Sequence, residues 1–293
     1  MGPRLGPLRK TGYPNIKFKT KCNLLKHSAH YVPLGICACQ IMNRRRKSPG
    51  ILKRRILKIN KMRLAENKKT AKHVKKKKGT SKANVQFGLV NAHSLLNKAD
   101  DLEEQIVRFK LDIVAVTETW FVDDSDMKEA CPEGFKGVHE PRSDGHGGVA
   151  IYYRDYIKRS VKPLKDYDSF EYIDVTLTIS PRDKMTLIVI YRPAGSKADF
   201  REEFEEFLDS VKRRENLMIV GDFNLPYEDN VDREFMKIIQ SHGLKQHVKD
   251  PTHVNGGILD LILSRPSDSL VKNVRVGDLF SDHKFVRCRI EIN

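Results

Sequence analysis

The hydrophobic positions of this chain fall into two regimes. Before Asn84 no helical or strand period is sustained, and after it short apolar runs alternate with polar turns. Val85 to Val90 alternates weakly and predicts a strand. Leu95, Ala99, Leu102, Ile106 and Phe109 recur every three or four residues, the stripe of an amphipathic helix. Asp112 to Thr117 is nearly continuous apolar sequence and predicts a strand buried on both faces. Beyond a polar loop, Gly147 to Tyr153, Ile173 to Ile179 and Met185 to Tyr191 are rich in β-branched and aromatic residues and predict strands. Phe200, Phe204, Phe207, Leu208 and Val211 mark a second helix, with Ser196 or Asp199 as its cap. Leu217 to Val220 predicts another buried strand. Val231 to His242 suits a third helix stopped by Gly243, and Ile258 to Leu263 and Phe285 to Ile292 complete the strands. Strands outnumber helices, and several follow one another with no helix between. A doubly wound parallel sheet therefore fits poorly, and an α/β fold of two packed, mixed sheets flanked by helices fits better.

Charge divides the chain at the same place. Residues 1–83 hold 25 Lys and Arg against one acid, Glu66, a balance of +24. Residues 84–293 hold the other 29 bases against 37 acids, a balance of −8, so a uniformly basic coat protein is excluded. A segment as charged as residues 1–83 cannot bury enough apolar surface to offset its ordering entropy, which predicts a disordered basic arm. Within it Ile51 to Leu64 could form a short basic helix on a surface. Clusters such as Arg44 to Lys47 and Lys75 to Lys78 suit phosphate binding or nuclear import, or else a solvated tail appended upstream of the real domain.

Residues 84–293 suffice for one sizeable core or two small ones. The weakly charged stretch Tyr31 to Asn43 is too short for a bilayer, which needs about 20 apolar residues, and lies too far along the chain for a secretory signal. Gly6 stands where a myristoylation site wants Ser or Thr. No membrane association is expected, and the location expected is nuclear, from the basic clusters, or cytoplasmic, but not secreted. Cys22, Cys37, Cys39, Cys131 and Cys288 lack paired spacing and read as free thiols in a reducing compartment.

Polar groups stand where the buried strands end. Asn91 ends the first, Glu118 the next, Asp222 and Asn224 follow LMIVG, Asp260 lies within ILDLIL, and Ser281-Asp282-His283 precedes the last strand. Ionised groups beside apolar runs are costly unless paired, hydrogen-bonded or metal-bound, and convergence at one end of the sheets would satisfy them together. Singly each has a plainer explanation: a turn for Asp222, a helix cap for Glu118, a backbone anchor for Asp260, a structural imidazole for His283. As an ordered set they read differently.

NAHSL at Asn91, TETW at Glu118, YRP at Tyr191, GDFN at Asp222 and Asn224, LDLIL at Asp260 and SDH at His283 resemble the endonuclease/exonuclease/phosphatase superfamily. GGVAIYYR, the PTH of Pro251 to His253 and GGILDLIL resemble its branch in non-LTR (LINE-type) retrotransposons, related to apurinic/apyrimidinic endonucleases. The likeness spans residues 85–293. It implies a four-layer α/β sandwich, DNase I-like, and Mg²⁺-dependent hydrolysis of a phosphodiester, with Mn²⁺ as a substitute. By motif it implies Glu118 as principal metal ligand, Asn91 beside it on metal or phosphate, and Asp282 supporting the metal. Asp222 would orient or deprotonate water, Asn224 would bind the scissile phosphate, and Tyr191 would stabilise the phosphate or leaving oxygen. His283 would contact a phosphate oxygen or move a proton, with Asp260 orienting its ring. His93 stands where many relatives of this branch carry Arg, which weakens one phosphate contact. Arg192 departs from the apurinic-site enzymes, which weakens any preference for such sites.

The implied function is a DNA endonuclease that grips the phosphate backbone and leaves a 3′-hydroxyl able to prime reverse transcription. No nucleotide cofactor is called for. No reverse transcriptase follows in this chain, which predicts a truncated element or a host-adopted piece of one. Hydrolysis of RNA, inositol phosphate or sphingomyelin by the same centre, and a non-catalytic DNA-binding relic, are the alternatives. Trp120 to Phe135, Pro193 to Lys197 and Lys249 to Gly257 are the loops expected to set any sequence preference.

Overall fold

The computed structural model describes residues 83–142, 145–163, 165–195, 199–225 and 233–292. The basic arm as far as Lys82, the helix over 51–64, Cys22, Cys37, Cys39 and the candidate cap Ser196 lie outside them.

The first predicted strand forms as β1 (Ala83–Asn91). A 3₁₀ turn (Leu96–Lys98) leads into α1 (Ala99–Phe109), so Leu95 precedes the helix it was expected to join, although its side chain is fully buried. The helix stops at Lys110 in the left-handed conformation, whose N–H reaches the Ile106 and Val107 carbonyls. β2 (Ile113–Thr117) is buried at every position, as its unbroken apolar run requires. The following polar stretch hides two elements: α2 (Asp124–Glu129), capped by the Asp123 side chain, and β3 (Phe135–Glu140).

β4 (Val149–Arg154), β6 (Glu171–Thr178) and β7 (Lys184–Tyr191) fall where predicted, with β5 (Lys158–Val161) added as an edge strand exposed along its length. α3 (Phe200–Val211) is capped by the Asp199 side chain, which accepts the Arg201 N–H. β8 (Leu217–Asp222), α4 (Arg233–Ser241), the two-residue β9 (Lys245–Gln246) and β10 (Asp260–Ser264) follow, and Gly243 takes the left-handed φ expected at a helix stop. β11 (Val271–Leu279) was not predicted, because its exposure alternates unevenly across two register shifts; β12 (Lys284–Ile292) was.

These strands make two mixed six-stranded sheets on one plan. Their orders are β11-β12-β1-β2-β4-β3 and β5-β6-β7-β8-β10-β9. Each has a single parallel pair at its centre, β1 with β2 and β7 with β8, flanked by antiparallel strands. In each sheet the two parallel strands end together and their antiparallel neighbours begin at that same edge. Register pairs Asn91 with Thr117 in the first sheet, and Asp222 with both Tyr191 and Asp260 in the second.

The main core lies between the sheets and beneath α3 and α4, where Phe200, Phe204, Phe223 and Phe235 stack against one another. A second cluster packs Leu102 and Ile106 of α1 onto Val90, Val114 and Phe285 on the far face of the first sheet. The layers are thus helix, sheet, sheet, helix. Cys131 and Cys288 are free thiols, and among the described residues no helix is long and apolar enough to cross a membrane.

Candidate active site

One residue at the sheet edges joins the two halves. Asn91, fully buried at the end of β1, donates through Nδ2 to Glu118 Oε1 at 2.8 Å and to Asp222 Oδ2 at 2.8 Å. Its Oδ1 accepts the His93 N–H at 3.0 Å. An amide is the one small neutral side chain that can donate to two carboxylates and still accept, which explains Asn here rather than Asp.

Glu118 follows β2 in the left-handed region, φ 49°, and Trp120 repeats this at φ 57°. Such conformations cost about 1–2 kcal/mol each for a residue with a Cβ, so something must hold the turn. Gly147 and Gly148 do: their carbonyls accept the Trp120 and Thr119 N–H groups, and a Cβ on Gly148 would fall 2.9 Å from Thr119 Oγ1. Glu171 anchors this glycine pair by accepting from Gly148 N at 2.6 Å and from Arg142 Nη1 at 3.2 Å.

On the second sheet, Gly221 sits at φ 142°, and a Cβ there would lie 1.8 Å from the Ile190 carbonyl oxygen. Only glycine lets β8 close onto β7 at this point, and that contact sets Asp222 beside Tyr191. Asp222 Oδ1 accepts the Asn224 N–H at 2.9 Å. Asn224 spends its own amide on the Arg192 carbonyl at 2.7 Å, with a longer reach of 3.4 Å to Asp222 Oδ2.

Opposite Asp222 in the ladder, Asp260 is held by Thr252, whose Oγ1 accepts the Leu259 and Asp260 N–H groups. Asp260 Oδ2 meets His283 Nδ1 at 2.7 Å, leaving His283 Nε2 3.8 Å from Asp222 Oδ2. All three side chains are buried. Burial lowers the basicity of His283, but the hydrogen bond and charge of Asp260, then the charge of Asp222, outweigh it and push its pKa up to about 9. Burial, with the Asp260 charge second, pushes the Asp222 carboxyl up to about 7. Burial and the neighbouring Glu118 keep the Tyr191 phenol far above its ordinary range, so it remains a donor.

Asp282 stands at the rim, 3.4 Å from His93 Nδ1 and 3.6 Å from His253 Nε2, with His253 directly across an antiparallel bridge from His283. Ser281 Oγ ties this segment to β1 by donating to the Asn91 carbonyl at 2.8 Å. Lys98 gathers the turn after Asn91: its ammonium donates to the carbonyls of Ala92, His93 and Ser94 at 2.8, 2.6 and 3.0 Å.

The predicted residues therefore meet: Asn91, Glu118, Tyr191, Asp222, Asn224, Asp260 and His283 form one connected group, with Asp282 at its margin. Sequence reasoning missed Lys98, Glu171, Arg142 and Thr252. Gly147, Gly148 and Gly221 were visible only as letters within motifs.

The donors suit a hard divalent cation. Carboxylates outnumber cations, Asp222 is buried with its pKa raised, and the buried Asp260 Oδ1 has no hydrogen-bond partner. Asp222, Asp260 and His283, and separately His253, Asp282 and His283, bring one ligand atom each to within 4.8 Å of one another. Glu118 stands outside both trios and is linked to the first through Asn91.

Comparison with known proteins places the fold in a family. The model of the Endonuclease/Exonuclease/phosphatase family matches residues 83–283. The fold is similar to the endonuclease domain of TRAS1, a telomere-specific non-LTR retrotransposon, at 18% identity and TM-score 0.59, covering 72% of this chain and 99% of that one. It is similar to the human Nocturnin catalytic domain with bound sulfate, at 15% identity and TM-score 0.55, covering 73% and 97%. The 3′ phosphatase NExo from Neisseria, bound to product DNA hairpin, matches at 18% identity and TM-score 0.52, covering 70% and 99%. At these identities the solved structures establish the fold. No curated protein matches.

Proposed function

Because the chain belongs to the endonuclease/exonuclease/phosphatase family, we propose that it is a divalent-metal-dependent endonuclease that nicks one strand of DNA and leaves a 3′-hydroxyl. The observation that carries this reading is the Asn91 amide bridging Glu118 and Asp222 beside the Asp260–His283 pair. It gathers acid, base and oxygen ligands at one sheet edge. A DNA substrate is supported by the likeness to a retrotransposon endonuclease domain and to a phosphatase bound to a DNA hairpin, and by the +24 of residues 1–83.

In this reading Glu118 and Asn91 hold Mg²⁺, or Mn²⁺ in its place, with Asp282 supporting them. The bound ion supplies stabilisation of charge on the phosphoryl and leaving oxygens. Asp222 orients the attacking water and takes its proton, a task suited to a carboxylate whose pKa lies near neutrality. The water oxygen bonds to phosphorus as the P–O3′ bond breaks. His283, kept protonated by Asp260, faces a phosphate oxygen, while Tyr191 donates toward the departing O3′ and Asn224 toward the phosphate.

Nicking of supercoiled plasmid by the full chain with Mg²⁺ or Mn²⁺ tests this. Glu118→Ala and His283→Ala are each expected to slow nicking by about 10²–10⁴-fold. Equal nicking by wild type and variants refutes it. Turnover of an RNA tail, an inositol phosphate or sphingomyelin without nicking would keep the centre and replace the substrate.

A further inference from the structure

On the far face of the first sheet, away from this edge, lies a basic pocket that the proposed chemistry does not use. Along β12 Val286, Cys288 and Ile290 point into the core between the sheets, so Arg287 and Arg289 stand on the opposite face. The register places Arg275 of β11 directly across from Arg287, and Lys272 across from Arg289. Like charges directly opposed on a sheet are destabilising, and here two such pairs are adjacent. Phe109, at the end of α1, floors the pocket with its ring 3.7 Å from the Arg287 guanidinium.

The cavity between these side chains has a volume of about 210 Å³. The Nε atoms of both Arg287 and Arg289 are buried there without a hydrogen-bond partner. Nearby acids do not balance the charge. Glu291 pairs with Arg289 at 2.5 Å and Asp278 pairs with Arg108 at 3.1 Å, while Arg275 and Arg287 have no carboxylate partner among the described residues. Burial, then the charges of Arg108 and Arg275, lowers the pKa of Arg287. Gln86, also in the lining, stands five residues before Asn91 on β1, roughly 17 Å at about 3.3 Å per residue, so this pocket is separate from the catalytic edge.

We propose that this pocket is a phosphate-binding site, in which the Arg275, Arg287 and Arg289 guanidinium groups hold a phosphate over Phe109. Guanidinium forks match phosphate oxygens in pairs, and the anion supplies the countercharge that the facing arginines lack. Such a phosphate has two sources, a free phosphorylated small molecule or the backbone of a polynucleotide held at a second point. The site itself stands whether or not the chain nicks DNA.

Arginine Nε–H NMR signals of the full chain in chelator test it directly, because Arg287 and Arg289 report from inside the pocket and not from the basic residues elsewhere. Inorganic phosphate, and separately a short DNA duplex, are titrated into wild type, Arg275→Gln and Arg287→Gln. Shifts of the Arg287 and Arg289 signals that saturate, with each substitution weakening affinity at least tenfold, are expected. Saturation by phosphate but not by duplex assigns a small ligand; saturation by duplex at lower concentration assigns a backbone. Arg275→Gln should also be more heat-stable than wild type in phosphate-free, low-salt buffer, because it removes a like-charge pair. Signals that neither probe moves, or an Arg275→Gln protein less stable than wild type without phosphate, would overturn the site.

Discussion

The Asp260–His283 pair makes a quantitative prediction about stability against pH. His283 has a folded pKa of about 9 against an ordinary value of 6.5. The folded protein therefore binds this proton more tightly than the unfolded chain does. The stabilisation is fully present below the unfolded pKa and is lost as pH rises through the folded one. The whole shift is worth about 3 kcal/mol, of which about 2 kcal/mol disappears between pH 7.5 and 9. Asp222 titrates below that window: its carboxyl pKa, raised to about 7, costs the fold stability as pH climbs from about 4 to 7. Above pH 7.5 His283 is left as the pair's reporter.

Asp260→Asn keeps the shape of the side chain and removes its charge. Burial then acts on His283 with less opposition, and its pKa falls back toward or below the ordinary range. Urea unfolding at pH 7.5 and pH 9, in chelator, can be followed through Trp120, the chain's single tryptophan. Wild type should lose about 2 kcal/mol between the two pH values and Asp260→Asn little of it. The same pH slope in both proteins would refute the ionised pair, and with it the assignment of Asp260 as the group that keeps His283 protonated.

Three further outcomes follow from local geometry. Gly221→Ala places a Cβ against the Ile190 carbonyl in a backbone region closed to alanine, and should cost more than about 4 kcal/mol or abolish soluble expression. Lys98→Met removes three donors from the turn after Asn91. A loss of about 1–2 kcal/mol in urea unfolding and weaker Mn²⁺ binding by calorimetry are expected, and unchanged Mn²⁺ affinity would separate the turn from the metal. Burial, with the charges of Lys245 and Lys272, holds the His247 pKa down to about 4, so its contribution is complete above pH 6.5 and fades as pH falls toward 4. His247→Gln should flatten that acid limb in a thermal-melt series.

What could be read from the sequence followed the strength of each local signal. Asn91, Glu118, Asp222 and Asp260 interrupt or end runs such as DIVAVT and LMIVG, and a polar or charged group against an apolar strand is conspicuous by residue type alone. Phe200 to Val211 was equally plain, because five apolar residues on one stripe have few other uses. β5 is exposed throughout and β11 alternates unevenly across its bulges, so neither carries a period to find. Lys98, Glu171 and Thr252 act on backbone carbonyls and amides, and a side chain that bonds to main chain leaves no pattern of residue types at a spacing.

The topology explains why strand ends mattered so much. A parallel pair delivers two C-terminal ends to one edge, and an antiparallel neighbour delivers a beginning to the same edge. Two sheets built on that plan and packed face to face bring Asn91 and Glu118 from one and Tyr191, Asp222 and Asp260 from the other to a common border. His283 enters just ahead of the strand that pairs antiparallel with β1. Residues up to 192 positions apart need no long side chains to meet, since the backbone has already done the gathering; of the furthest pair, Asn91 ends β1 and His283 immediately precedes β12, its neighbour in the sheet. The requirement left to the side chains is charge. A single amide between Glu118 and Asp222 and one imidazolium beside Asp222 and Asp260 offset part of the negative field of three carboxylates, and the remainder is what a divalent cation would neutralise.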